Sequence, residues 1–411
     1  MPISAAIVAI AVLFVANFWV SGQEKFSRES RLDPHASDAL AVSDFLRNQK
    51  QQPDIGLLGS SLVAVASVQA AAIAEKKPVD RLTHRSSEYF DQALYANLGM
   101  KANTACLALG GAMASDAYLL TKHVLNSTNS PRAIVYGISV RDFQDNMMFG
   151  VETSEAFKLF YQPEDLPDIW RLPRVTPDTK LALTFATFSP LWDNRAVLSN
   201  QVMNTALKPV NQAFLFLDQS AVTAPSEAGF AAGPCAALPA GATAVGARAA
   251  APPMRIDGPL APGESIGHPS ADHMKEAYLM RYNPLAPSQI RTQFAYFNRL
   301  LELCHKRHVP ILVVNMPISA ANVAIMPPQL YQYYLMETQK LCRENSVEFQ
   351  DLNKPPLNQA SNFLESVHLN PHGSTIFFNA LAKVVGTSAV AQSLSASSSQ
   401  HCAAINKPGD L

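Results

Sequence analysis

Charged residues are scarce in this chain, and basic residues do not outnumber acidic ones. Both observations exclude some classes of function. Among its 411 residues, Lys and Arg number 32 and Asp and Glu number 33, which gives a formal net charge of -1. Proteins that bind nucleic acid through the phosphate backbone are strongly basic, so nucleic acid is not expected as a partner. The charged fraction is 16%, against about 25% in ordinary soluble domains. Part of the chain must therefore be apolar or of low complexity.

Cysteine is also scarce. The five cysteines are too few and too scattered to form a disulfide framework. No two of them have CxxC spacing, so a structural zinc site is not indicated. Cys106 and Cys304 lie in apolar patterns, which is typical of small buried side chains. We therefore expect neither a metal nor a cofactor.

The N-terminus is almost wholly apolar. Residues 3–20 contain only two polar side chains, Ser4 and Asn17. As a helix these eighteen residues would be roughly 27 Å long, close to the thickness of a bilayer core. A buried core helix and a cleaved signal peptide are the alternatives. No Lys or Arg precedes the stretch and no clear cleavage site follows it, so we favour an uncleaved signal anchor over residues 1–22.

Five short apolar runs are typical of buried strands. They are residues 55–58, 105–109, 133–138, 311–315 and 347–352. Helical patterns separate most of them, and one helical face carries Ile290, Phe294, Phe297, Leu301 and Cys304. Apolar strands that alternate with helices indicate a sheet covered on both faces. We expect a doubly wound α/β domain with a mainly parallel five-stranded sheet, whose site lies at the carboxyl ends of the strands.

This alternation breaks between the third and fourth strands. Residues 146–220 hold aromatic, helix-like stretches, which predict a helical insert or cap. Residues 221–263 contain 15 Ala, 7 Pro and 6 Gly, a composition that cannot bury enough apolar surface to offset its ordering entropy. The expected organisation is two halves of one domain (35–145 and 270–386), a disordered insert (221–265) and a disordered Ser- and Ala-rich tail (387–411).

The first chemical signal follows the first strand, in Gly59-Ser60-Ser61-Leu62. A hydroxyl at a helix N-terminus lies where the dipole and the free N–H groups favour negative charge. That environment suits an activated serine with an oxyanion beside it, although an ordinary N-cap serine is the alternative. The second strand ends in Gly110-Gly111, where glycine lets a backbone N–H approach a bound group. A simple turn would also explain it.

The second signal lies near the C-terminus, where Glu365 stands three residues before His368. A carboxylate at this spacing can orient the imidazole, and the histidine can then act as a general base toward a serine. A Glu and a His at this spacing are also common by chance on protein surfaces, where they have no catalytic role. His372 raises the alternative of a metal site, but Pro371 disfavours a regular helix through both histidines and no third ligand is evident.

In their order along the chain, these blocks resemble the SGNH/GDSL hydrolase superfamily. The Gly-Ser-Ser segment is similar to its nucleophile block, with Ser60 in place of Asp. Gly111 is similar to the glycine of its second block. Glu365 and His368 are similar to its final block, with Glu in place of Asp. The resemblance covers roughly residues 50–145 and 285–386.

The resemblance implies an SGNH-hydrolase, flavodoxin-like fold and a set of roles. Ser61 would be the nucleophile, His368 the base and Glu365 the acid that orients the base. The N–H groups of Ser61 and Gly111 would bind the oxyanion.

One block departs from the family pattern. The family usually has an Asn after the third strand that donates to the oxyanion, and here Ser139 or Arg141 takes that position. Arg141 would supply a charge-assisted donor, whereas a local ion pair with Asp142 is the alternative. Asn315, which ends the fourth strand, would face the edge of the site, although a turn residue before Met-Pro is the other interpretation.

The anchor and the Gly-Ser-Ser variant resemble one branch of the superfamily, the envelope proteins similar to DltD and to the AlgJ/AlgX type of alginate acetylation protein. That branch implies a periplasmic or cell-surface body, an acylated donor, a glycan or envelope-polymer acceptor, and a membrane-bound O-acyltransferase as partner. Lys25, Arg28 and Arg31 follow the anchor and no basic residue precedes it, which would instead favour a cytoplasmic body. We give the resemblance more weight because almost no loop precedes the anchor.

These features predict a membrane-anchored serine acyltransferase or esterase with a Ser-His-Glu triad, acting on acyl esters of cell-envelope polysaccharide. The alternative is a non-catalytic envelope protein of the same fold that binds a glycan or an acyltransferase, and the absent Asn keeps it open. A plain esterase would hydrolyse small acetyl esters in isolation, whereas a transferase would hydrolyse little without an acceptor.

Overall fold

The structure is a computed structural model that describes residues 37–148, 151, 154–171, 177–189 and 271–395, together with residues 12, 15, 16, 18 and 32. The expected insert over 221–265 lies outside these residues, as does the expected anchor over 1–22 apart from four isolated positions. Within the described part, no single helix combines the length and the apolar composition needed to cross a membrane. One bent pair, Pro371–Gly386 with Ala389–Ser395, meets both criteria jointly.

Five strands form one sheet in which every neighbouring pair is parallel. They are β1 (Ile55–Gly59), β2 (Thr104–Cys106), β3 (Ala133–Ile138), β4 (Ile311–Asn315) and β5 (Glu348–Asp351). Their order across the sheet is β2-β1-β3-β4-β5. The predicted α/β fold with five strands is confirmed, and the sheet is parallel throughout rather than mainly so. The three inner strands are buried along their whole length, which explains their apolar sequences.

The two edge strands differ most from the sequence prediction. β2 has three residues, but the chain continues beside β1, because the N–H groups of Leu107 and Leu109 donate to the carbonyls of Leu57 and Gly59. Every residue of β5 is half-buried, since an edge strand has a neighbour on one side only.

The helices described are, in chain order, α1 (Asp38–Asn48), α2 (Ser61–Glu75), α3 (Glu88–Leu98), α4 (Ala114–Leu125), α5 (Glu155–Phe160), α6 (Leu166–Arg171), α7 (Pro177–Phe188), α8 (Ala271–Tyr282), α9 (Pro287–Lys306), α10 (Ala320–Ala324), α11 (Pro328–Glu344), α12 (Pro371–Gly386) and α13 (Ala389–Ser395). α12 packs against α2 and α3, whereas α9 packs against α4 and α11. The connection from β1 to β2 runs toward one edge and the later connections run toward the other. Right-handed crossovers therefore place the two groups of helices on opposite faces of the sheet.

The described part of the middle segment packs on the domain. α5 contacts both α1 and α4, and the Tyr118 hydroxyl donates to Asp168 at 3.2 Å. The tail differs from the expectation of disorder over 387–411, because α13 forms within it and buries Val390, Ala391 and Leu394. Residues 396–411 lie outside the described part of the chain.

Candidate active site

Ser61 is the first residue of α2 and follows β1 directly. Gly59 and Gly137 face each other in neighbouring strands, and a Cβ atom at either position would lie 2.5 Å from Cγ2 of Val63. The absence of side chains lets the first turn of α2 pack onto the carboxyl ends of the strands, where sites of such sheets lie. Ser60 occupies the N-cap position, but its hydroxyl makes no capping hydrogen bond. The N-cap interpretation therefore does not explain the two serines.

Ser61, His368 and Glu365 form a continuous hydrogen-bonded chain. Oγ of Ser61 lies 2.9 Å from Nε2 of His368, and Nδ1 of His368 is hydrogen-bonded to Oε1 of Glu365. Because an ionised carboxylate can only accept, we assign the proton to Nδ1, which leaves Nε2 to accept from the Ser61 hydroxyl. The structure thus brings together the three residues that the sequence proposed for catalysis, in the order of a serine–histidine–carboxylate triad.

Glu365 is fixed by the backbone as well as by the imidazole. Its two carboxylate oxygens accept hydrogen bonds from the N–H groups of Val367 at 2.7 Å and His368 at 3.1 Å. Burial alone would raise the pKa of Glu365, but the hydrogen bond and charge of His368, with the two N–H groups, lower it below its ordinary value. The carboxylate therefore stays ionised at neutral pH and can stabilise positive charge on the imidazole.

The histidine lies on a closed loop, residues 363–369. Phe363 and Leu369 form an antiparallel bridge that closes the loop, and the N–H of Leu364 donates to the carbonyl of His368 at 2.8 Å. The hydroxyl of Ser366 accepts a hydrogen bond from the Asn322 amide at 3.1 Å. These bonds restrict the loop, so the ring of the histidine is held in place rather than presented on a free segment.

The two backbone N–H groups expected to bind an oxyanion belong to Ser61 and Gly111. In the turns and loops of the described chain, neither of them donates to a carbonyl. Gly111 has a φ of +73°, a backbone conformation that is strained for residues with a side chain. The turn after β2 therefore requires glycine at this position, and both N–H groups are available at the carboxyl edge of the sheet.

Arg141 approaches Gly111 from the turn after β3. Its Nη2 lies 3.8 Å from the place that a Cβ of Gly111 would occupy. Its Nε donates to Oδ2 of Asp145 at 2.9 Å, and Arg281 donates to the same oxygen. The salt-bridge partner of Arg141 is therefore Asp145, and not Asp142 as in the alternative drawn from the sequence.

The guanidinium of Arg141 is held by one edge only. Burial alone would lower the pKa of Arg141, but the charge and hydrogen bond of Asp145 raise it, so the group stays positive. Within the described chain its terminal Nη groups make no hydrogen bond. A charged donor with free N–H groups thus faces the glycine turn.

Ser139 and Asp142 shape the turn that carries Arg141. Oδ2 of Asp142 accepts from the N–H of Ser139 at 2.9 Å, and the side chain of Ser60 also interacts with this carboxyl group. Burial raises the pKa of Asp142 to about 7, against the Ser139 N–H and the charge of Arg141, which lower it. Ser139 is itself buried in this turn, so Arg141 is the residue of this block that reaches the glycine.

Asn315 has all its polar atoms occupied. Its Oδ1 accepts from the hydroxyl of Tyr334 at 2.8 Å, and its Nδ2 donates to Asp351 at 2.7 Å and to Tyr331 at 3.3 Å. These bonds tie the end of β4 to β5 and α11. Asn315 was expected to face the edge of the site, but hydrogen bonds to neighbouring side chains occupy its amide group.

Three further residues lie near the site and carry little signal of their role in the sequence, namely Asp145, Arg281 and Tyr278. Arg281 lies over the ring of Tyr278, 5.8 Å from its centroid, and burial with the charge of Glu365 raises the pKa of Tyr278 well above its ordinary value. Both belong to α8, far from Arg141 in sequence. The one local signal was the spacing of four between Arg141 and Asp145.

A cavity of about 220 Å³ adjoins the turn after β2. Its wall includes Gly110 and Gly111, and its polar part includes Asp116, Ser154 and Glu155. Burial raises the pKa of Asp116 to about 6. The cavity adjoins the glycine turn, but Ser61, His368 and Arg141 are not among the residues that line it.

One group of side chains in the described part has the composition of a metal site, namely Glu75, His84 and Glu88. Nε2 of His84 lies 2.8 Å from Glu88, whereas Nδ1 faces Glu75 at 3.6 Å. One ligand atom from each of the three residues lies within 4.8 Å of the other two, but each ring nitrogen of His84 already faces a different carboxylate. The hydrogen bond to Glu88 raises the pKa of His84, which is the behaviour of an ion-paired histidine.

No protein-family model matches the chain, and no curated protein matches it.

Proposed function

We propose that the protein is a membrane-anchored serine acyltransferase or esterase that acts on acyl esters of a cell-envelope polysaccharide or a related polymer. The observation that carries the proposal is the 2.9 Å contact between Oγ of Ser61 and Nε2 of His368, with Glu365 on the other ring nitrogen. A serine with a purely structural role needs no base backed by a half-buried, ionised carboxylate, whereas a nucleophile does.

The reaction has two halves that use the same base. Nε2 of His368 takes the proton of Ser61 as Oγ attacks the acyl carbon of the donor ester. Collapse of the tetrahedral intermediate expels the donor alcohol, which receives that proton from His368, and leaves the acyl group on Ser61. A sugar hydroxyl of the acceptor, or water, then attacks the acyl carbon with His368 again as base, and Ser61 regains its proton. Glu365 stabilises the imidazolium in both halves.

The oxyanion of each intermediate is stabilised by the N–H groups of Ser61 and Gly111 and by the guanidinium of Arg141. One such donor is worth about 2.7–4 kcal/mol in the transition state. Arg141 takes the place of the Asn of the resembling family, and its charge strengthens the hydrogen bond. A charged donor next to the glycine turn supports the catalytic proposal over a fold that only binds a glycan.

The cellular setting belongs to the same proposal. Residues 3–20 anchor the chain, and the body lies in the periplasm or at the cell surface. There the protein works with a membrane-bound O-acyltransferase. It receives an acyl group and passes this group to a glycan or envelope polymer. A topology reporter fused after Leu411 tests this part, and a cytoplasmic signal would contradict it.

Labelling of the full-length chain with a serine-reactive fluorophosphonate tests the nucleophile. Oγ of Ser61 attacks phosphorus, fluoride leaves and His368 accepts the proton, so one covalent adduct forms per chain. Ser61→Ala and His368→Ala should abolish labelling, whereas Ser60→Ala, which removes the neighbouring buried hydroxyl, should retain it. Labelling that survives Ser61→Ala would exclude Ser61. A folded wild type that does not label would favour the non-catalytic alternative.

Transfer and hydrolysis are separated by the acceptor. With a chromogenic acetyl ester as donor, a transferase should release the chromophore slowly in water and faster when an envelope glycan is added, with acetyl recovered on the glycan. Fast release that does not respond to the glycan would indicate a plain esterase.

A further inference from the structure

We propose that Asp38 is a positioning residue for the loop that carries the oxyanion donor Gly111. This loop, residues 109–112, is called the oxyanion loop below. The inference rests on the proposed function, because the loop has this role only if Ser61 forms a tetrahedral intermediate. Asp38 lies in the first turn of α1, more than seventy positions before the loop, and nothing in its local sequence connects it with catalysis.

Asp38 binds the oxyanion loop through the backbone. Its Oδ2 accepts from the N–H of Gly110 at 2.7 Å and from Nη1 of Arg81 at 2.8 Å. Its Oδ1 accepts from the guanidinium of Arg85. The carboxylate is buried, so one negative charge meets two guanidinium groups and one peptide N–H in a place with little water. Hydrogen bonds to a charged acceptor in such a place are strong and directional.

Arg85 holds the residue that precedes the oxyanion loop. Its side chain is almost completely buried, and its Nη1 donates to the carbonyl of Ala108 at 2.8 Å. The backbone is therefore hydrogen-bonded at Ala108 by Arg85 and at Gly110 by Asp38. The side chains of Arg85 and Asp38 also form a salt bridge with each other. Gly111 is the next residue after this double attachment, so the direction of its N–H follows from it.

Gly110 supplies independent support. A Cβ atom at this position would lie 2.7 Å from Oδ2 of Asp38 and 2.8 Å from Nη1 of Arg81. Its φ does not demand glycine, unlike that of Gly111. Glycine is needed at 110 because the ion pair of Asp38 and Arg81 lies directly against the backbone. The two adjacent glycines thus have different purposes, one for the attachment and one for the turn.

Both sides of Gly111 are then defined. Asp38 fixes the peptide before it, and Nη2 of Arg141 lies 3.8 Å from its Cβ position. An oxyanion donor is effective only when its N–H points at the place where charge develops. Loosening the attachment should therefore reduce the rate of reaction at Ser61 more than the affinity for a ligand.

The test uses the full-length chain with two perturbing variants and one control. Asp38→Asn keeps an oxygen acceptor but cannot satisfy two arginines and Gly110 together. Gly110→Ala leaves every charge in place and displaces the ion pair by one methyl group. Asp165→Asn is the control, because Asp165 is also buried, accepts from the N–H of Gln162 at 2.7 Å and pairs with Lys122, which lies in the last turn of α4, whereas the oxyanion loop precedes its first turn.

Two measurements are made on each variant. Hydrogen exchange followed by mass spectrometry reports the protection of the peptide that covers the oxyanion loop. The concentration dependence of fluorophosphonate labelling separates the maximal rate at Ser61 from the apparent affinity for the probe. Asp38→Asn and Gly110→Ala should exchange faster in this peptide and label about tenfold to a hundredfold more slowly at saturation, with little change in apparent affinity. Asp165→Asn should change neither.

The outcomes separate this inference from the proposed function. Unchanged protection of the loop in both perturbing variants overturns the inference, whether or not the protein labels. Equal losses of labelling in Asp38→Asn and Asp165→Asn also overturn it, since the effect would then be general destabilisation. A wild type that does not label at Ser61 overturns the proposed function instead.

Discussion

The hydroxyl of Ser61 lies 2.9 Å from Nε2 of His368, although 307 positions separate the two residues. Ser61 begins α2, and His368 lies on the closed loop that leads into α12. The two meet because α12 packs against α2 and both helices begin at the carboxyl edge of the sheet. Their contact thus depends on the packing of one face of the domain.

Replacing Glu365 with Gln should slow the labelling of Ser61 by about 10³–10⁴-fold. The neutral amide cannot balance the positive charge of the imidazolium, and its NH₂ group would favour the wrong tautomer of His368. Glu365→Asp keeps the charge on a shorter side chain, so its loss should be smaller. The second-order rate constant for a fluorophosphonate measures the effect. Equal rates for the Gln variant and the wild type would show that the carboxylate does not assist the base.

Removing Arg141 should cost about as much as removing one oxyanion donor. We expect Arg141→Ala to slow labelling at saturating probe by about 10²–10³-fold. Arg281→Ala is the matched control, because Arg281 binds the same oxygen of Asp145 as Arg141 does, but Arg141 is the one whose Nη2 lies against the Cβ position of Gly111. The control should lose less than about tenfold. Similar losses in both variants would mean that Arg141 acts through Asp145 rather than on the oxyanion.

The inner strands follow from the sequence because they are buried along their whole length, and α9 follows from it because its apolar side chains recur at helical spacing. The predicted face of α9 includes Phe297, Leu301 and Cys304, all of which are buried. α11 was not predicted, because its buried face includes Tyr334 and Thr338, which do not stand out as apolar. α3 was missed for a related reason, since it buries only Phe90, Ala93 and Leu94.

The same distinction applies to the site. Ser61 and the pair of Glu365 and His368 were found because each signal is local: a helix start in one case and a spacing of three in the other. The residues around them were not found where their partners are distant. Asp38 reaches Gly110 across 72 positions. Arg281 reaches Asp145 across 136 positions. Only the packing of the domain brings such groups together, and a single sequence does not record it.

The loop that carries His368 should be sensitive to a single methyl group at Gly373. A Cβ atom there would lie 2.1 Å from the carbonyl oxygen of Asn362, a backbone atom that cannot move without shifting the loop. We expect Gly373→Ala to lower the free energy of unfolding by more than about 2 kcal/mol and to reduce the labelling of Ser61.

Gly99 provides the comparison for this variant. It has a φ of +67° but nothing within 4 Å of its Cβ position, so Gly99→Ala should cost only about 1 kcal/mol of backbone strain and should leave labelling unchanged. Denaturant unfolding and the labelling rate, measured on both variants, test the difference. A Gly373→Ala protein as stable and as reactive as Gly99→Ala would show that the loop tolerates displacement.

Asp142 should make the stability of the protein depend on pH near neutrality. Burial raises its pKa from 3.8 to about 7, so the folded state binds this proton more tightly than the unfolded state does. The free energy of unfolding should therefore decrease as pH rises from about 4 to about 7. Asp142→Asn does not titrate, and its stability relative to the wild type should rise by on the order of 1–3 kcal/mol between pH 5 and pH 8.

Glu365→Gln should show the opposite pH dependence. The pKa of Glu365 is lowered, so the wild type loses the contribution of this carboxylate as pH falls, and the stability of the variant relative to the wild type should rise in acid. Urea unfolding at several pH values measures both differences, and a constant difference for Asp142→Asn would mean that Asp142 keeps one protonation state across this range.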